Sequence, residues 1–88
     1  MKAVLFYETA TVDMDKIMSV YPMHEIHVNH FTKQGKIIGI GPYANPMEGS
    51  MAIFTDKASA EEFVKNDPFV LNGIVSKHTI KEWNDDML

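Results

Sequence analysis

The stretch Lys36–Thr55, KIIGIGPYANPMEGSMAIFT, decides the fold because it holds two β-type segments in direct succession. Lys36–Gly41 is rich in isoleucine and is closed by Pro42, while Ser50–Thr55 alternates small and large apolar residues after a loop that ends at Gly49. We therefore predict two strands joined by this loop.

One strand and one helix are predicted upstream of this pair. Lys2–Tyr7 is rich in aliphatic and aromatic residues, which favours a strand. Proline is common at the first position of a helix and glycine just past its end, so we predict a helix over Pro22–Gln34, before Gly35. A short turn over Asp13–Val20 is an optional element before it.

A second helix and a fourth strand are predicted downstream of this pair. Asp56 or Ser59 can cap a second helix, which Pro68 ends, and Gly73–Trp83 is predicted as a long strand. The order βαββαβ is that of an α+β, ferredoxin-like fold, with an antiparallel sheet and two helices on one face. No repeat or linker divides the chain, so residues 1–88 are predicted to form a single domain.

The middle strands carry apolar residues on both faces, although a monomeric sheet with helices on one face should be polar on the other. Two such sheets packed face to face in a homodimer would bury the second face. The alternative is that short strands look two-sided by chance. The residues concerned are Ile37, Ile38, Ile40, Met51, Ala52, Ile53 and Phe54.

Composition narrows the partners and the class of protein. The chain has 88 residues, no cysteine, and a net charge of −4 in which every basic residue is lysine, so binding to the phosphates of nucleic acid is not expected. No apolar run approaches the roughly 18 residues of a membrane span, and the start is too short and too acidic for a signal peptide. We predict a cytoplasmic protein that does not bind membranes.

Three histidines lie on the first predicted helix. His24, Val28 and Phe31 share one face, so His24 points inward, while His27 lies on the shoulder of that face and His30 lies further round. Because the three imidazoles diverge, they cannot all bind one metal ion from a straight helix. A His24/His27 pair could bind one, but it lacks a third ligand of obvious spacing, so we predict no metal site.

The second helix carries a carboxylate on its buried face. Ala60, Phe63 and Val64 form the apolar stripe, and Asp67 is its next member. A carboxylate beside His24 would fix the tautomer of the imidazole and stabilise its cation, as general acid/base catalysis requires. Aspartate is also common at helix ends, so position alone leaves a functional pair and a purely structural pair open.

An ordered set of motifs extends over nearly the whole chain: Pro22-Met23-His24, Gly35, Gly41-Pro42, Gly49-Ser50, Asp67-Pro68-Phe69, Gly73 and Trp83. With this set the chain resembles the YciI-like (YCII) family of small proteins, which form dimeric α+β barrels. One branch of that family resembles enzymes that remove chloride from chlorinated hydroxyquinols, and the same barrel houses muconolactone isomerases and cofactor-free oxygenases. The resemblance thus implies proton transfer on small ring compounds.

The resemblance also implies site residues. It makes His24 and Asp67 an active-site pair and places Ser50 near them. Many relatives carry an arginine where this chain has Tyr21, which puts a bound anionic group in doubt and suggests a more neutral or aromatic ligand. Lys36 could still supply a positive charge.

Two hypotheses follow. In the first, the protein is a cofactor-independent lyase or isomerase: His24 moves a proton, Asp67 orients it and Ser50 binds a small ring or enolisable substrate. In the second, it is a non-catalytic dimer that binds a small ligand or another protein. The other predicted residues of the pocket are Tyr21, His27, Phe6, Val28, Phe31 and Phe54.

Overall fold

A computed structural model of the protein describes residues 1–11 and 13–88. The helices and strands are β1 (Lys2–Thr9), α1 (Met14–Lys33), β2 (Ile37–Pro42), β3 (Ser50–Phe54), α2 (Lys57–Asn66), α3 (Pro68–Leu71) and β4 (Val75–Trp83). The four strands form an antiparallel sheet in the order β2-β3-β1-β4, which confirms the predicted α+β, ferredoxin-like class. A 3-10 turn, Pro46–Glu48, lies in the loop between β2 and β3.

Helix α1 begins much earlier than the predicted segment Pro22–Gln34 and absorbs the residues predicted as a separate turn. The Asp13 side chain caps the helix by accepting hydrogen bonds from the backbone N–H groups of Asp15 and Lys16, at 3.1 and 3.3 Å. Pro22 lies inside the helix, where its missing N–H removes one intrahelical hydrogen bond without ending the helix. The prediction was wrong here because the aspartate cap, not the proline, sets the start.

The structure shows which of the two candidate residues caps the second helix. The Asp56 side chain accepts a hydrogen bond from the Ser59 backbone N–H at 2.8 Å, so α2 begins just after Asp56. Ser59 is a buried residue within the helix. Pro68 ends α2 as predicted, but it also starts a short extra helix, α3.

The core lies between the helices and one face of the sheet. In the register of the sheet, Ala3 pairs with Phe54 and Leu5 with Ala52, so these residues point to the same face. Phe54 and Phe63 are fully buried, and burial of one such side chain contributes roughly 1.5–3 kcal/mol. The core cluster comprises Ala3, Leu5, Tyr7, Phe31, Ala52, Phe54, Ala60, Phe63 and Val64.

The other face of the sheet carries an apolar groove. Phe6 pairs with Met51 and Val4 with Ile53, so the residues that alternate with the core residues of β1 and β3 lie together on this face. Trp83, at the end of β4, also lines the groove and is 39% exposed. In the part of the chain that the structure describes, no helix is long and apolar enough to cross a membrane.

Candidate functional site

His24 and Asp67 are in direct contact. Nδ1 of His24 lies 2.7 Å from Oδ1 of Asp67. The Asp67 side chain is fully buried, whereas the His24 side chain retains 12% of its exposed surface. A buried charge of this kind needs hydrogen-bond partners on each of its oxygens.

The local sequence places the Asp67 carboxylate. Asp67 lies between α2 and α3 in the extended conformation that a following proline favours, and its Oδ1 accepts a hydrogen bond from the Phe69 backbone N–H at 3.0 Å. From the sheet, the Tyr7 hydroxyl donates to Oδ2 at 2.7 Å. Both carboxylate oxygens are therefore engaged, from two different elements of the fold.

Tyr7 acts in this cluster as a hydrogen-bond donor. Its side chain is almost fully buried, and burial raises the pKa of Tyr7 far above its usual value. The negative charge of Asp67 and the hydrogen bond to it raise the pKa further. Tyr7 thus keeps its proton, and the carboxylate, which accepts hydrogen bonds only, stays available to His24.

This arrangement assigns the tautomer of His24. An ionised carboxylate cannot donate, so in the neutral imidazole Nδ1 carries the proton that points to Asp67. Nε2 is then the basic nitrogen. Every buried side-chain nitrogen and oxygen of the described residues has a hydrogen-bond partner. Nε2 of His24 has no such partner among these residues, so it is not one of the buried atoms.

Aromatic rings hold the imidazole in place. Phe69 stacks on His24 with ring centroids 3.9 Å apart and an angle of 6° between the planes. Phe63 meets the imidazole edge-on, with centroids 6.3 Å apart, and Tyr21 lies at 6.2 Å. Such contacts restrict the ring to one orientation.

His24 borders a cavity of about 340 Å³ between α1 and the sheet, which is within the range of small-molecule sites. Its wall is mostly apolar, and its lining also includes Ser50 from the sheet and Phe69 from α3. The sheet contributes Leu5, Tyr7, Ile40, Gly41, Pro42, Ser50, Met51 and Ala52, and α1 contributes Ile17, Tyr21, His24, Glu25 and Val28.

The structure brings some of the predicted site residues together and separates others. Ser50 and Tyr21 line the cavity with His24. Nε2 of His27 instead lies 2.8 Å from the backbone oxygen of Phe63, to which it donates because a carbonyl oxygen only accepts.

The predicted aromatic wall is corrected by the structure. Phe31 and Phe54 are core residues beneath the cavity, not part of its lining. Phe6 lies in the groove on the opposite face of the sheet, because neighbouring residues of a strand point to opposite faces. The same alternation places Leu5 and Tyr7 on the cavity side, but both sets of residues are apolar or aromatic, so the sequence did not show which set faces the helices.

The charged residues of the cavity also differ from expectation. Lys36 binds Glu62 at 3.2 Å and stacks over Phe31, and it does not line the cavity. Glu25, which was not among the predicted site residues, does line it. Within residues 1–11 and 13–88, no three histidine or acidic side chains cluster as a metal site would require.

Comparisons with known proteins give a family and a fold. The family model described as the YCII-related domain matches residues 1–84. Among solved structures, the chain is similar to 5-chloro-2-hydroxyhydroquinone dehydrochlorinase (TftG) from Burkholderia phenoliruptrix, determined in complex with 2,5-dihydroxybenzoquinone. The two share 20% sequence identity and a TM-score of 0.78, over 98% of this chain and 96% of the other. No curated protein matches the chain.

Proposed function

The chain belongs to the YCII-related family, and from that membership we propose that it is a cofactor-independent lyase or isomerase acting on a small ring or enolisable compound. The observation that carries the proposal is the hydrogen bond of His24 Nδ1 to the buried Asp67 beside a cavity of small-molecule size. The dehydrochlorinase activity of the structural neighbour is of the same reaction class.

In the proposed mechanism, Nε2 of His24 removes a proton from a substrate carbon or hydroxyl group. The resulting imidazolium is stabilised by the Asp67 carboxylate, whose position Tyr7 and Phe69 fix through hydrogen bonds. The electron pair left on the substrate then expels a leaving group such as chloride. Alternatively, the same imidazolium returns the proton to another carbon of the substrate. The Ser50 hydroxyl binds a substrate oxygen during this step.

The proposal is tested with 5-chloro-2-hydroxyhydroquinone as the first substrate and chloride release as the readout. We expect His24→Ala to lower kcat/KM by roughly 10²- to 10⁴-fold without unfolding the protein. His30→Ala is the matched control, because His30 lies on the same helix but is exposed. Unaltered turnover in His24→Ala would show that this histidine is not the base.

The second candidate is a non-catalytic ligand-binding protein, because a buried His–Asp pair must be hydrogen-bonded whether or not it catalyses. His24→Gln separates the two. An enzyme should lose turnover in this variant while often retaining ligand affinity, whereas a binding protein has no turnover to lose.

A cytoplasmic location stays a prediction from composition.

We also propose that the protein forms a homodimer through the open face of its sheet. The apolar groove that contains Val4, Phe6, Met51, Ile53 and Trp83 supports this assembly, because a second copy would cover it. Sedimentation equilibrium should give the dimer mass for the natural chain and the monomer mass for Ile53→Lys. The matched control is Ile26→Lys on the outer surface of α1, where the isoleucine is 69% exposed, and it should remain dimeric.

A further inference from the structure

Few of the side chains that line the cavity are charged. Helix α1 presents Ile17, Tyr21, His24, Glu25 and Val28 to it, at the spacing of one helical face. Glu25 is the one acidic side chain of this face. No lysine is present in the lining formed by the described residues, and the chain contains no arginine.

Two basic residues that the sequence suggested for this site already have acidic partners. Lys36 is paired with Glu62, and the proton on Nδ1 of His24 is directed at Asp67. A ligand that carries a carboxylate would thus face two negative side chains, Glu25 at the wall and Asp67 behind the imidazole. Repulsion from the fully buried Asp67 is weakly screened, whereas Glu25 is exposed at the cavity wall, where water screens its charge more strongly.

We infer that this cavity selects uncharged ring compounds and rejects their carboxylate analogues, with Glu25 as the residue that sets the preference. The inference rests on the proposed function, because it concerns the substrate of the same site. A phenolic or quinoid ring suits the apolar wall, and Ser50 and Tyr21, which also line the cavity, offer hydroxyl groups to an uncharged ligand. Like charge at Glu25 is the element that excludes the carboxylate.

The test compares hydroquinone with 2,5-dihydroxybenzoate, which differ by one carboxylate. Binding is followed by NMR through the ring signals of His24, so that only ligands in this cavity are counted. We expect the natural protein to bind hydroquinone roughly 3- to 10-fold more tightly than 2,5-dihydroxybenzoate. Glu25→Gln should remove most of this difference, and Glu25→Lys should reverse it.

The control variants are Glu61→Gln and Glu61→Lys, which change net charge by the same amounts at an exposed position of α2 outside the cavity. They should leave the ratio of the two affinities within about twofold of the natural value. Hydroquinone affinity itself should stay nearly constant in the two Glu61 variants, which do not touch the cavity.

The outcomes separate this inference from the proposed function. Equal binding of the two probes, or a ratio that Glu25→Gln leaves unaltered, overturns the charge selection but leaves a catalytic site possible. A selective cavity in a protein without turnover supports the inference and contradicts the enzyme. If neither probe perturbs His24 at millimolar concentration, the cavity is not a ring-binding site and both proposals fail.

Discussion

His24 and Phe69 stack face to face, with ring centroids 3.9 Å apart and planes within 6°. The backbone N–H of Phe69 also donates to Oδ1 of Asp67, the same oxygen that contacts His24. One residue therefore fixes both the plane of the imidazole and the position of its carboxylate partner. The helical turn that begins at Pro68 places Phe69 over the imidazole.

The first prediction concerns this stack. We expect Phe69→Leu to keep the backbone hydrogen bond to Asp67 but to lose the flat surface against His24, which is worth about 0.5–1.5 kcal/mol. Because a looser imidazole spends less time aligned with substrate, kcat should fall roughly 3- to 10-fold with a smaller change in KM. Steady-state kinetics check this, and an unchanged kcat would show that Asp67 alone orients the ring.

The second prediction concerns tautomers, which long-range proton–nitrogen NMR of the histidine rings reports directly. His24 should be protonated on Nδ1, where it donates to Asp67, and His27 on Nε2, where it donates to the backbone oxygen of Phe63. Asp67→Asn should give a mixture of tautomers at His24 and lower kcat by roughly 10²- to 10⁴-fold. His27 is the internal control and should keep its tautomer. A single, unaltered His24 tautomer in the variant would contradict the role given to Asp67.

The third prediction follows from the raised pKa of Tyr7. Unfolded Tyr7 loses its proton near pH 10 while folded Tyr7 keeps it, so the unfolded chain binds fewer protons above that pH. The free energy of unfolding should then fall as pH rises above about 10, by about 1.4 kcal/mol per pH unit from this group. Urea unfolding of the natural chain and Tyr7→Phe from pH 7 to 11 isolates the contribution.

Tyr7→Phe also leaves Oδ2 of Asp67 without its donor, which should cost about 1–3 kcal/mol near pH 7. The variant should therefore be less stable than the natural chain at neutral pH, and the gap between the two should narrow at alkaline pH. A gap that stays constant with pH would mean that Tyr7 titrates alike in the folded and unfolded chains.

The sequence was sufficient to predict the order of elements and the inward direction of His24 and Asp67. Apolar alternation and helical spacing are local properties, and the structure follows them in β1, β3, α1 and α2. The start of α1 was missed because two local signals conflict: Pro22 suits a first helical position, and Asp13 suits a cap. Residue spacing alone does not indicate which of these two signals sets the start of the helix.

The lining of the cavity could not be predicted as well, because it depends on distances between elements. Phe31 and Phe54 share the helix-facing side of the sheet with the cavity, yet they pack into the core. The stack of Phe69 on His24 and the hydrogen bond from Tyr7 to Asp67 join residues far apart in the chain. Strand alternation places Tyr7 and Phe6 on opposite faces, but it does not show which face packs against the helices.

The last prediction concerns Gly49, the residue before Ser50. Gly49 has a φ of 116°, and a Cβ there would collide with the backbone oxygen of Tyr7. Tyr7 pairs with Ser50 in the sheet, so a side chain at position 49 would push apart the two strands that carry the Asp67 donor and the cavity hydroxyl. We expect Gly49→Ala to lower the free energy of unfolding by at least about 2–3 kcal/mol and to weaken the hydrogen bond from Tyr7 to Asp67.

Two other glycines separate the collision from backbone strain. Gly35 has a φ of 70° but open space around a Cβ, so Gly35→Ala should cost only about 1–2 kcal/mol. Gly39 has neither feature, and Gly39→Ala should change stability by less than about 1 kcal/mol. Urea unfolding of the three variants gives the order directly. If Gly49→Ala costs no more than Gly35→Ala, the strands can move apart without loss, and close packing of Gly49 against Tyr7 does not hold the site together.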